Sequence, residues 1–269
     1  TARAGINMSG GQFLVGTGVT IGIAGIATFR SGRIDVGDSL ANTSIGEAAG
    51  DAHTTGSDNT AVGYDALTAN TTGAYNTAVG RDALKLSTTG ARNTAIGRGA
   101  LDANTTGDYN SAVGMNALGG NTTASNNTAI GYQALEANTT GGYNTAVGSE
   151  ALDGNTTGTE NTAVGYQSLS ASMTGSNNTA VGNYALTAVT TGDSNTALGR
   201  NAGDAITTGS QNIAIGRHAL SASTAANDNI AIGYYSLKVT TTGQHNVGVG
   251  NSALQANTTA SANTAVGYV

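Results

Sequence analysis

The sequence predicts an all-β protein, a parallel β-solenoid wound from 17-residue coils, and three observations carry that expectation. The phrase Asn76-Thr-Ala-Val-Gly-Arg-Asp-Ala-Leu84 returns as Asn93-Thr-Ala-Ile-Gly-Arg-Gly-Ala-Leu101, and steps of 17 residues find variants from Asn42 to Asn263. The chain has 41 glycines and no proline, which suits a backbone laddered throughout and closely approached by its neighbours. Only 10% of its residues are charged and 4% aromatic, too few large side chains for a globular core and too little charge for a disordered chain. A self-similarity this regular marks a stack of units, none of which buries its apolar face alone.

Thirteen full repeats fill residues 42–262 and a fourteenth begins at Asn263, so the solenoid is expected over 42–269. Residues 1–41 lack the repeat. Gly11-Gln-Phe-Leu-Val-Gly16 and Gly18-Val-Thr-Ile-Gly-Ile-Ala-Gly-Ile-Ala-Thr-Phe29 alternate small with β-branched or aromatic residues, and this segment is expected to be a β-rich lead-in that shields the first coil. The last repeat stops at Val269, and the open edge expected there reads as that of a fragment, or the ordered part, of a longer protein.

Counting the asparagine as position 1, position 4 is Val, Ile or Leu in all fourteen copies and position 9 is leucine in eleven of thirteen, with Gly50 and Gly203 the exceptions. These are the only positions that offer bulk at nearly every turn. They are therefore assigned to the interior of a thin core, in a rod of roughly 60 Å at about 4.8 Å per coil. Position 3 is alanine in twelve of fourteen copies, and alternation along a strand then turns it outward. Ala61, Ala78, Ala95, Ala112, Ala129, Ala146, Ala163 and Ala180 thus form a stripe of small residues that predicts close packing of identical chains, most simply a homotrimeric fibre.

Asn59, Asn76, Asn93, Asn110, Asn127 and Asn144, with their equivalents, are expected to stack amides into a ladder along the rod. Thr-Thr-Gly at positions 13–15 reads as a β-forming pair followed by a turn residue of positive φ. The stretch Asp82-Ala-Leu-Lys-Leu86 is open between a second strand and one helical turn.

Variation concentrates at positions 6, 7, 16 and 17, which hold all ten tyrosines and read as outer corners. Tyr64, Tyr75, Tyr109, Tyr132, Tyr143, Tyr166, Tyr184, Tyr234 and Tyr235 are candidate receptor-facing residues, since exposed rings beside Asn, Asp and Arg make ledges for sugars or proteins. Plain solvated corners are the first reading of these positions, and the ledges the second. His53, His218 and His245 stand apart from one another and read as solvated loop residues, so no metal or cofactor is expected. The recurrent residues Asn, Ala, Gly and Thr do not titrate, which argues against an active site. An ice-binding threonine face is disfavoured because adjacent threonines point to opposite sides. A net charge of −6 gives no footprint for nucleic acid, and no apolar run of membrane-spanning length is present.

The phrase Asn-Thr-Ala-Val-Gly-Tyr-x-Ala-Leu-x-x-Asn-Thr-Thr-Gly, at Asn59–Gly73 and with Ile130 for Val at Asn127–Gly141, resembles repeats of bacteriophage tail fibres and related long bacterial surface fibres. Its Ala-Val-Gly centre is similar to the shorter head repeat of trimeric autotransporter adhesins, a left-handed β-roll assembled as a trimer. The segment Gly18–Phe29 looks like tail-fibre sequence of marine phages. The resemblance implies a non-enzymatic fibre shaft on a virion. Its partners would be copies of itself, other tail or fibre proteins and a host-surface glycan or protein. A bacterial cell-surface adhesin is the alternative, and a glycan-cleaving tailspike a third.

Overall fold

The computed structural model describes residues 40–171 and 173–269, and the expected lead-in lies almost wholly outside them. Each coil contributes one three-residue strand, from β1 (Thr43–Ile45) to β14 (Thr264–Val266), and the fourteen strands form one parallel sheet in sequence order. Register is offset by one repeat at every step, so Ala129 of β6 (Thr128–Ile130) lies beside Ala146 of β7 (Thr145–Val147). The β-solenoid of about 13 turns, 17 residues apart, is thus the fold.

The strand faces are the reverse of those expected. Ala61, Ala78, Ala95, Ala112, Ala129, Ala146, Ala163 and Ala180 are 0% exposed, inside a single chain, whereas the position-4 residues lie outside, with Ile130 43% exposed. The coil is so flat that the wall opposite the sheet, Ala at position 8 and Leu at position 9, leaves room only for a methyl group. Gly248 marks the limit, because a Cβ there would sit 2.6 Å from Ser236 Oγ, and Ser236 replaces the usual alanine at position 8. Leucine at Ala129 would therefore overpack a core rather than separate two chains.

The stretch between positions 6 and 11 is neither strand nor helix. Residues at positions 7 and 9 have φ near +55°, as in Asp82 (59°) and Leu84 (50°), and alternate with residues of negative φ. This alternation sends the N–H at position 7 to one neighbouring coil and that at position 9 to the other, while the residue between bonds within its own coil. Asp82 N–H donates to Tyr64 O of the preceding coil at 2.9 Å, and Leu84 N–H donates to Ala100 O of the following coil at 3.0 Å. A helix would have spent these groups within one coil. Eleven leucines held in the left-handed region carry a strain of about 1–2 kcal/mol each, and burial offsets it, complete for ten of them and partial for Leu254. Gly203 relieves the strain at one such corner, and Ile206, in place of the usual asparagine at position 12, fills the space that leucine would have taken.

Two glycine rows set the coil spacing. At position 5, Gly131 has φ +138° and a Cβ would come within 2.3 Å of Gly148 O. At position 15 the expected positive φ is absent, and the reason for glycine is proximity, since a Cβ on Gly141 would lie 2.2 Å from Gly158 O.

The asparagine ladder at position 1 is present, by a route slightly different from amide-to-amide donation. Asn144 N–H donates to Asn127 Oδ1 at 2.9 Å, while Asn127 Nδ2 donates to Gly141 O of its own coil at 3.0 Å. Direct amide-to-amide bonds accompany these in several coils, such as Asn212 Nδ2 to Asn195 Oδ1 at 3.0 Å. A second ladder runs at position 12, where Asn121, Asn138 and Asn155 donate through Nδ2 to Oδ1 of the preceding asparagine at 2.8–3.0 Å. Both ladders converge on the position-15 carbonyl, for Asn138 Nδ2 also donates to Gly141 O at 3.0 Å. Asn155 ends its run, which explains why its Oδ1 is buried without a donor.

Candidate functional site

The outer surface has three parts. Among the described residues, positions 2 and 4 present an uncovered sheet face of Thr, Val and Ile, with β-branched or leucine side chains at position 4 in every strand. Position 17 borders it on one side of the strand and position 6 on the other. These borders carry the sequence-predicted tyrosines: Tyr64, Tyr75, Tyr109, Tyr132, Tyr143, Tyr166 and Tyr234 are exposed, while Tyr184 and Tyr235, at position 7, are half-buried.

The position-17 border brings three of them into one line. Tyr75, Tyr109 and Tyr143 occur every second coil, with Arg92 and Asn126 between, and all five share the left-handed backbone, φ 57–63°. The Arg92 guanidinium lies 5.4 Å from the Tyr75 ring centre and 5.3 Å from that of Tyr109, so one cation faces two rings. Asp108, next to Tyr109, accepts a hydrogen bond from Ala91 N–H at 2.7 Å.

On the position-6 side the structure gathers different clusters. Tyr166 and Tyr184 meet edge to face at 5.4 Å, and Tyr64 is covered by Arg81 at 5.6 Å. Desolvation and the nearby Glu150 carboxylate raise the Tyr166 phenol. Tyr234 and Tyr235 stack at 3.9 Å, with Lys238 over the Tyr235 ring at 4.0 Å. A hydrogen bond with Tyr234, aided by Lys238, holds the Tyr235 phenol below its usual range. Lys85 bridges Asp65 of one coil and Asp82 of the next at 2.8 and 2.9 Å, and its hydrogen bond lowers the Asp82 carboxyl. Asp153 is pushed up to about 6, by burial first and then by Glu150 and Glu136.

The three histidines do not share one environment. His53 is half-buried at position 12, the position that carries the second ladder in the coils of Asn104 to Asn155, so it is not a plain loop side chain. His218 is half-buried against Tyr235 at 5.5 Å, and His245 is exposed, 3.6 Å from Asp228. Among the described residues, no group of three or more His, Asp or Glu is placed to hold a metal, and no helix is long and apolar enough to cross a membrane. Arg92 was not singled out by sequence, although tyrosines at a spacing of 34 residues around it were the available signal. Comparison with protein-family models, with curated proteins and with solved structures finds no match.

Proposed function

We propose that this chain is the shaft of an extracellular fibre, of the kind found in phage tails, which assembles from parallel copies of itself and attaches to a host surface through its tyrosine borders. The observation that carries the assembly is the uncovered position-4 row, and it moves the chain-to-chain surface from the buried alanines to their strand neighbours. Fourteen strands present an outer face of roughly 60 by 10 Å, in which an unbroken apolar row at position 4 runs beside a mostly threonine row at position 2, a continuity that scattered surface apolar residues do not have. That area is of the order of the ~800 Å² per partner covered in a stable complex. A second copy with the same coil spacing matches it rung for rung, and three copies close about an axis with every face covered.

The role is mechanical and adhesive. A stiff rod repeats the same weak ledge along its length and on each copy, so attachment rests on many simultaneous contacts with a surface glycan or protein. Other tail or fibre proteins would hold the shaft on the virion. The resemblance of the Asn59–Gly73 repeat to tail-fibre repeats places the virion ahead of a bacterial surface in this reading.

Light scattering on the purified chain tests the assembly, with a particle of three times the 26.3 kDa chain mass as the expected result. Val147→Lys combined with Val164→Lys puts charges on the outer face and should yield a folded monomer, while Tyr132→Ala leaves the mass unchanged and at most weakens attachment to host cells. A well-folded monomer from the unmodified chain would sink the proposed interface.

A further inference from the structure

We infer that the exposed Tyr109 and Tyr143 rings, with Asn126 between them, form a slot that takes a planar cation, the guanidinium of an arginine on a partner protein. The inference rests on the adhesive reading above and gives one of its ledges a ligand chemistry. Its basis is an internal precedent one step along the same row. Tyr75 and Tyr109 stand two coils apart, about 9.6 Å at the spacing of parallel strands, and the chain itself puts the Arg92 guanidinium between them, 5.4 and 5.3 Å from the two ring centres.

Tyr109 and Tyr143 repeat that pair. They have the same two-coil separation and the same backbone, with φ of 57° and 61°. They are 53% and 65% exposed, and since Arg92 occupies the rung before Tyr109, the side of that ring towards Asn126 is the one offered to a ligand. What differs is the residue between. Asn126 is exposed, too short to cover a ring, and its side chain makes no hydrogen bond among the described residues. Its amide oxygen is thus available to a donor held between the rings. The charge around the slot is Arg92 on the rung before Tyr109, against Asp108 next to Tyr109 and Glu160 on the rung after Tyr143, so with a net chain charge of −6 the carboxylates outnumber the one cation. A guanidinium fits better than an ammonium because it is flat, weakly hydrated and rich in donors.

The test titrates methylguanidinium chloride into the purified full chain with isotope-labelled tyrosine rings, at ionic strength matched with sodium chloride, and follows the ring signals by NMR. The expected result is saturable movement of the Tyr109 and Tyr143 signals, with a dissociation constant of roughly tens of millimolar for two exposed cation–ring contacts. Asn126→Arg should fill the slot from within and abolish that response. Arg92→Asn should open the neighbouring slot, so that Tyr75 begins to respond. Both changes are on exposed side chains and leave the core intact. Equal, non-saturating shifts across all ten tyrosines, an unchanged response in Asn126→Arg, or saturation by a neutral disaccharide instead would each overturn the inference. Saturable binding by a fibre that fails to attach to cells would overturn the adhesive reading and leave the slot standing.

Discussion

Replacing Gly131 by alanine should open the stack at its centre. The added Cβ would lie 2.3 Å from Gly148 O and 2.6 Å from its carbonyl carbon, and backbone at that point has no side-chain rotation by which to yield. The φ of +138° adds a strain that only glycine escapes. Strain and forced displacement together should cost roughly 2–6 kcal/mol. Because each coil meets only its neighbours, the loss should appear as local exposure on either side of the lesion before the whole rod unfolds. Hydrogen exchange should therefore lose protection first between β6 and β7, where Gly148 N–H donates to Ile130 O at 2.8 Å. Gly99→Ala is the control. It too has positive φ, but the nearest atom to its Cβ is the movable Asn116 side chain, and the change should cost about 1 kcal/mol. Equal protection in the two variants would show that coil spacing is not what position 5 enforces.

The second large effect is expected from Asn127→Asp, which keeps size and shape while removing two protons from the ladder. The Asn127 amide accepts from Asn144 N–H at 2.9 Å and donates to Gly141 O at 3.0 Å. A carboxylate keeps the first bond and sets a negative oxygen against the Gly141 carbonyl, at a site 0% exposed. An uncompensated buried charge of this kind costs about 3–5 kcal/mol at neutral pH. Burial raises the folded-state pKa of the new carboxyl above its unfolded value of about 3.9. The penalty is therefore absent below the unfolded pKa, grows as pH rises towards the folded pKa, and is complete above it. Chemical denaturation at pH 4 and pH 7 should find the variant close to the parent in acid and far weaker at neutrality. An equal deficit at both pH values would mean that the lost donor, not the charge, sets the cost.

The coil length, the parallel stack and the position-1 ladder were legible because each is a statement about period, and period survives any error in judging what a side chain faces. Facing was the harder question. A strand of three residues offers only two parities, and bulk at position 4 argued for the one the fold does not use, since the space opposite the sheet is set by Leu84 and its equivalents and admits only alanine. The left-handed corners were hidden for a different reason. Leucine carries no mark of positive φ, and the hints were Gly99 at position 7 and Gly50 and Gly203 at position 9. The second ladder was disguised by Ser87, which separates Asn70 from Asn104 and buries a hydroxyl without a partner among the described residues, and by Val189, Ile206 and Thr240 at the same position further on. Of the tyrosine corners, the positions were readable and their grouping was not, because pairing depends on which rung an arginine such as Arg92 occupies.

The strict one-repeat register of the sheet has a genetic corollary. Excising or duplicating a block of 17 residues leaves the joined coils meeting through the same glycines and asparagines as before, so recombination between near-identical units can lengthen or shorten the rod without building a new junction. The tyrosine borders do not share that freedom. Removing one block between Tyr109 and Tyr143 would bring the two rings onto adjacent rungs, so the number of coils can change by single units without a new junction, while the spacing of this aromatic pair cannot.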